Sequence, residues 1–140
     1  MFQATQAIYN ELKNSNSNLK VFTEENDQRS EVWLQFTVDN GPAYRIRFIS
    51  TDNDSDVAVR VFGLLRVEET KKSKMLSAIN EINAQFRYVK FVMDDNNDIS
   101  VQYDFPVRTV RVEASAEEIL IRFVKIIDDA YPMMMRALWS

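Results

Sequence analysis

The chain has 140 residues, 46% of them hydrophobic, with 17 Lys+Arg against 21 Asp+Glu and neither Cys nor His. A domain of this length buries roughly two-thirds of its unfolded surface, enough for one core. The missing Cys and His exclude disulfides, thiolate metal sites, cysteine nucleophiles and the usual general base, and the mildly acidic balance disfavours a general nucleic-acid binder.

Ala4, Ile8 and Leu12 recur at every fourth position and predict a short amphipathic helix, ended by the polar stretch Lys13 to Asn18. Leu19, Val21 and Phe22 predict a short strand. Val32, Leu34, Phe36 and Val38 predict a longer one, with Trp33, Gln35 and Thr37 on its opposite face. Asp39-Asn40-Gly41-Pro42 supplies turn residues tolerant of positive φ. The returning strand carries Tyr44, Ile46 and Phe48 on one side and Arg45 and Arg47 on the other. Val57 to Val67 is apolar on both faces and reads as a central strand.

Met75, Ile79, Ile82 and Phe86 stripe a helix opened by Thr70 and a lysine-rich turn. Val89, Phe91 and Met93, then Ile99, Val101 and Tyr103, predict two further strands. Ser115 and Glu118 form a capping box for a helix striped by Leu120, Phe123, Val124, Ile127 and Tyr131. Pro132 is expected to end or kink that helix, leaving Met133 to Trp139 as a short apolar tail helix. This order predicts an α+β fold: a twisted antiparallel sheet packed with about three helices, as a single domain over residues 1–140. Met1 to Lys13 has no signal-peptide pattern, and no run of ~18 apolar residues occurs. The expectation is a cytoplasmic protein with no membrane partner.

Asp94, Asn96 and Asp98 mimic the first ligand positions of a calcium loop, but Ile99 and Phe105 stand where such a loop needs Gly and a bidentate Glu. Asp52, Asp54 and Asp56 fail in the same way, with Val57 and Gly63 at those positions. Both runs read as solvated hairpin turns. The adjacent carboxylates Asp94–Asp95 and Asp128–Asp129 point in different directions along a strand or helix. No metal, cofactor or catalytic residue is therefore expected, and the protein reads as non-enzymatic.

Binding is the alternative to chemistry. Trp33, Arg45, Arg47, Arg60 and Phe62 fall on the outer faces of neighbouring strands, and aromatic and Arg side chains are enriched at interfaces. The plainer reading is a partly helix-covered sheet with solvated arginines. Val32, Leu34, Phe36 and Val38 already fill one face of their strand, so Trp33 is covered by a helix, covered by a second subunit, or left in water. Met133, Met134, Met135, Leu138 and Trp139 either dock on a partner or pack back on the sheet. These residues suggest a protein-binding module acting as a homodimer. The alternative is a regulator holding a small molecule between sheet and helices, with Asn80, Asn83, Tyr88 and Tyr103 as polar suppliers.

A family resemblance adds to this. A helix carrying Leu76, Ile79, Asn80, Ile82 and Asn83 leads through Phe86 and Lys90 into a D-D-N-N-D hairpin, then Y-D-F-P-V and a helix closing in I-I-D-D-A-Y-P-M-M-M-R-A-L-W. From Glu68 to Leu138 this resembles the YbjN-like family of bacterial domains, sometimes described as sensory-transduction regulators, although the turn lacks the glycine expected between its acidic residues. The resemblance implies a fold similar to the class I chaperones of type III secretion, which are often dimeric and bind extended segments of partner proteins. It offers no catalytic residues and implies a protein-binding or chaperone-like module acting in regulation.

Overall fold

Period-two alternation builds a sheet here, and four-residue stripes build the helices that cover one side of it. The structure, a computed structural model, describes residues 1–15, 18–39 and 41–140. Helix α1 (Gln3–Ser15) is followed by β1 (Phe22–Glu25), β2 (Ser30–Thr37), β3 (Ala43–Ser50) and β4 (Asp56–Arg66). After a 3-10 turn at Glu69–Lys71 come α2 (Lys72–Gln85), β5 (Lys90–Met93), β6 (Asp98–Pro106) and α3 (Val112–Trp139). The strands form one antiparallel sheet in the order β1-β2-β3-β4-β6-β5, so β4 is interior and β1 and β5 are the edges. The fold is α+β. Asn16, Ser17 and Asn40, which belong to two of the expected turns, lie outside the described residues.

Register decides which side of the sheet is wet. Val32, Phe48, Val59 and Tyr103 stand opposite one another across four strands, and Val61, Val101 and Phe91 continue the inner face. Ile8 and Leu12 of α1, Met75, Ile79 and Ile82 of α2, and Phe123, Ile127 and Met134 of α3 join these residues in one core. Each large apolar side chain buried this fully contributes ~1.5–3 kcal/mol. The Thr5 hydroxyl lies 2.6 Å from that of Ser30, which is on the inner face, and this fixes the side on which α1 packs. All three helices therefore share one side, as antiparallel sheets with one solvated face allow.

Four expectations are corrected. The first strand begins at Phe22, not Leu19, because Leu19 and Val21 turn inward ahead of the ladder. Strand β4 is not apolar on both faces: Ala58, Arg60 and Phe62 point away from the core. The last helix starts at Val112, so Ser115 is inside it, donating its backbone N–H to Arg111, while Glu118 pairs with Arg122 instead of closing a capping box. Ser115→Ala should therefore change stability by less than ~0.5 kcal/mol in denaturant titration; the ~1 kcal/mol loss of a true cap would show the helix starting at Ser115. Finally, α3 runs unbroken through Pro132 to Trp139. Pro132 is exposed, so the Asp128 carbonyl that loses its helical partner can turn to water.

Strand β4 also makes a local excursion. Val61 pairs with Val101 and Leu65 with Ile99, so Phe62, Gly63 and Leu64 together face Ser100. Gly63 takes φ 64, the left-handed region where glycine is free of strain. The Leu64 carbonyl accepts the Tyr44 hydroxyl at 2.7 Å. Burial and the neighbouring Tyr131 raise the Tyr44 pKa well above its ordinary value, so this donor keeps its proton. The run Asp94 to Asp98 is a hairpin turn in which Asp94 Oδ1 accepts the N–H groups of Asn96 at 2.9 Å and Asp98 at 3.0 Å, with Asn97 at φ 63. Asp52 closes its own turn on the N–H groups of Asp54 and Ser55, both at 2.8 Å, and these bonds lower its pKa.

Candidate interaction face

Side chains alternate along each strand, so the outer face carries the complementary set of residues. Phe22, Trp33, Arg47, Arg60, Gln102 and Lys90 form one row across all six strands. No helix covers this row, yet Trp33 is only 9% exposed. Its neighbours bury it. The Phe22 ring stacks on the indole at 4.3 Å and 17°, and the Arg45 guanidinium lies 4.1 Å from the ring centroid, with Arg47 at 5.7 Å. An aromatic stack adds ~0.5–1.5 kcal/mol beyond its area, and a surface cation–π contact ~0.5–1 kcal/mol. The indole Nε1–H is buried and has no acceptor among the described residues.

Arg47 and Arg60 stand directly opposite each other, a like-charge pairing that destabilises a sheet. Separate carboxylates draw the two guanidinium groups apart. Arg47 and Arg29 both bond Glu31, which is 2% exposed, while Arg60 bonds Asp104 at 2.6 Å. Beside this cluster lies a polar depression of about 370 Å³ lined by Glu24, Glu25, Asn26, Arg29 and Phe62. Phe62 at 54% and Phe22 at 44% exposure are the apolar groups that the face leaves to solvent.

A second concavity of about 170 Å³ opens between β6 and α3, lined by Tyr88, Tyr103, Phe105, Ile119 and Arg122 among others. Tyr88 stands edge-on to Tyr103 at 6.2 Å, and the Arg122 guanidinium lies 4.6 Å from its ring centroid. Tyr88 holds φ 77, a conformation that costs a non-glycine residue of order 1–3 kcal/mol and that clusters at functional sites.

A model of the YbjN family, described as a putative bacterial sensory transduction regulator, matches residues 21–134, well over half of the chain. The chain belongs to the YbjN family. No curated protein and no solved structure matches it. The YbjN match takes in every strand, α2, and α3 as far as the buried Met134. It reaches well upstream of Glu68, where the sequence resemblance began. YbjN is a regulator-type family rather than an enzyme family. Among the described residues no helix is long and apolar enough to cross a membrane, and no three acidic side chains could hold a metal ion.

Within this YbjN chain the expected surface residues divide. Trp33, Arg45, Arg47, Arg60 and Phe62 do share one face. Trp33 needs neither a helix nor a second subunit to be covered, because Phe22 from the edge strand covers it. The tail separates: Met134 is fully buried, Met133 and Leu138 are half-buried against the core, and Trp139 is 80% exposed. Met134 thus belongs to the core and not to the surface. Of the four polar residues named for a ligand site, Tyr88 and Tyr103 meet in the cleft. Asn83 is committed elsewhere, to the backbone of Phe91, and Asn80 is exposed away from the cleft lining. Sequence reading missed Phe22, Arg29 and Glu31. Glu31 shares the parity of Trp33, and that was its available signal.

Proposed function

We propose that the protein is a non-enzymatic regulatory module of the bacterial cytoplasm that binds other proteins through its open sheet face and self-associates as a homodimer. Residues 1–140 act as one domain in this reading, and nucleic acid and membranes are not its partners. The observation that carries it is the uncovered outer face, where Phe22 and Phe62 flank a buried indole and three arginines. Aromatic and Arg side chains supply large contact area with a cationic handle, and two-fold dimers are the commonest oligomers. Trp139, at the far end of α3, is a further exposed aromatic side chain available to a partner.

Light scattering over a dilution series tests this. A dimer at protein concentrations on the order of tens of micromolar is expected, weakened about tenfold by Phe62→Ser, which removes ~1.4 kcal/mol or more of contact. Phe62 is the suitable site because it is exposed, whereas Trp33 and Met134 are structural in the monomer. A monomeric parent, or a dimer indifferent to both Phe62→Ser and Trp139→Ser, overturns the reading. A second reading is a small-molecule-responsive regulator, favoured by the strained Tyr88 beside the aromatic cleft.

A further inference from the structure

The two edges of the sheet are treated differently, and the difference points to a binding site. In an antiparallel ladder, residues alternate between pairs that exchange backbone hydrogen bonds and pairs whose N–H and C=O groups point away from the partner strand. At the β5 edge, Asp94 donates to Asp98 at 3.0 Å, which places Phe91, three residues earlier, among the outward-pointing residues. Its free groups are taken by one side chain. Asn83 accepts the Phe91 N–H at 2.8 Å and donates to the Phe91 carbonyl at 3.0 Å, imitating the strand that would otherwise add there. That closes the edge at Phe91, whereas the outward groups of Met93 are not taken by any group among the described residues.

The same alternation read at β1 gives the opposite result. Asn26 donates to Arg29 at 2.9 Å, and the register continues through Glu25↔Ser30, Glu24↔Glu31 and Thr23↔Val32. The N–H and C=O groups of Thr23 and Glu25 therefore point outward, and no group among the described residues takes them. On the outer side, Phe22 is 44% exposed and the exposed Glu24 carboxylate enters no ion pair among the described residues. The 370 Å³ depression lies at this corner, with Glu24, Glu25 and Asn26 in its wall.

We infer that β1 accepts an additional antiparallel strand from a basic extended segment of another protein, carrying an aromatic or apolar side chain beside Phe22 and a Lys or Arg beside Glu24. Main-chain bonds to Thr23 and Glu25 supply affinity, as in other strand-addition complexes, and the alternate side chains supply specificity. A second copy of β1 is a poor occupant. Antiparallel pairing of Phe-Thr-Glu-Glu with itself sets glutamates opposite or diagonal to glutamates, which is destabilising. Of the two charges that guard this edge against self-pairing, Glu25 is paired with the Met1 amino group at 2.8 Å, and Glu24 is the one that selects a basic strand. The site is the edge of the sheet and is independent of the dimer reading for the face.

The probe is a fluorescein-labelled peptide with a Lys-Thr-Phe-Thr-Lys core between serines, which reads alike in both directions, titrated by anisotropy into the full chain. Saturable binding is expected, falling with salt because Glu24 is solvent-exposed. Thr23→Pro removes an outward N–H that β2 does not use, and should weaken binding about tenfold with the melting temperature kept. Glu24→Lys should weaken it comparably and gain affinity for the Glu-Thr-Phe-Thr-Glu peptide. N-methylation of the two threonine amides, which leaves the protein untouched, should abolish binding, while Leu76→Ser, at an exposed position of α2 away from this edge, should not alter it. No saturable binding, tight binding of the N-methylated peptide, or amide shifts confined to the outer face or to β5 would overturn the inference. Peptide binding by a monomeric parent would sink the dimer alone and leave the edge site standing.

Discussion

Glu31→Ala is expected to cost about 3 kcal/mol, because breaking a buried ion pair strands its partner charge. Glu31 is 2% exposed and is the carboxylate shared by Arg29 and Arg47. Arg29 is 47% exposed and can turn to water, but Arg47 at 21% cannot do so easily. Without Glu31, Arg47 faces Arg60 directly across the ladder and has no compensating charge of its own. Denaturant titration measures the loss. Glu31→Leu combined with Arg47→Met should recover most of it, since apolar replacements of a whole buried pair are often neutral. A loss under about 1 kcal/mol for Glu31→Ala would mean that the cluster is solvated and the face less ordered than described.

The second large effect separates the two ends of the last helix turns. Met134 is fully buried while Trp139 is 80% exposed, five residues further along the same helix. Met134→Ala should cost about 2–5 kcal/mol, the range for deleting a buried side chain without full collapse of the cavity. Trp139→Ala should change monomer stability by less than ~0.5 kcal/mol. Equal losses at both positions would show that Trp139 packs somewhere on its own chain, and would remove it from the proposed contact surface.

Legibility in the sequence followed the physics of each signal. Alternation is local and strong, so Val32 to Val38, Tyr44 to Phe48 and Ile99 to Tyr103 were placed on the correct faces. The row of Trp33, Arg47 and Arg60 was legible for the same reason. What covers Trp33 was not legible, since that depends on the register of β1, a strand of four exposed residues with little pattern to read. The capping box at Ser115 failed because a Ser three residues before a Glu is a short motif that a helix interior can also contain, and packing of Ala116, Ile119 and Phe123 carries α3 back to Val112. Pro132 misled because propensity is decided by exposure: on a wet face, a lost helical bond can be replaced by water. Met134 could not be told from its neighbours Met133 and Met135 because the helix was expected to break at Pro132; continued unbroken, the stripe of Phe123 and Ile127 reaches Met134 seven residues on.

The excursion in β4 has a consequence for how this gene product can be lengthened. Opposite the lone Ser100 the strand spends three residues, two more than the ladder needs. Two is even, so Leu65 re-enters with the parity of Val61, and both meet inward partners in Ile99 and Val101. A single surplus residue would have turned the rest of the strand over, core side to water. A cβ built at Gly63 would meet nothing within 4 Å, so the tip of the excursion has room around it. Insertions in steps of two at this tip preserve the facing of everything downstream, and insertions of one do not. The middle of the sheet thus holds a joint at which length can be exchanged while hydrophobic phase is kept.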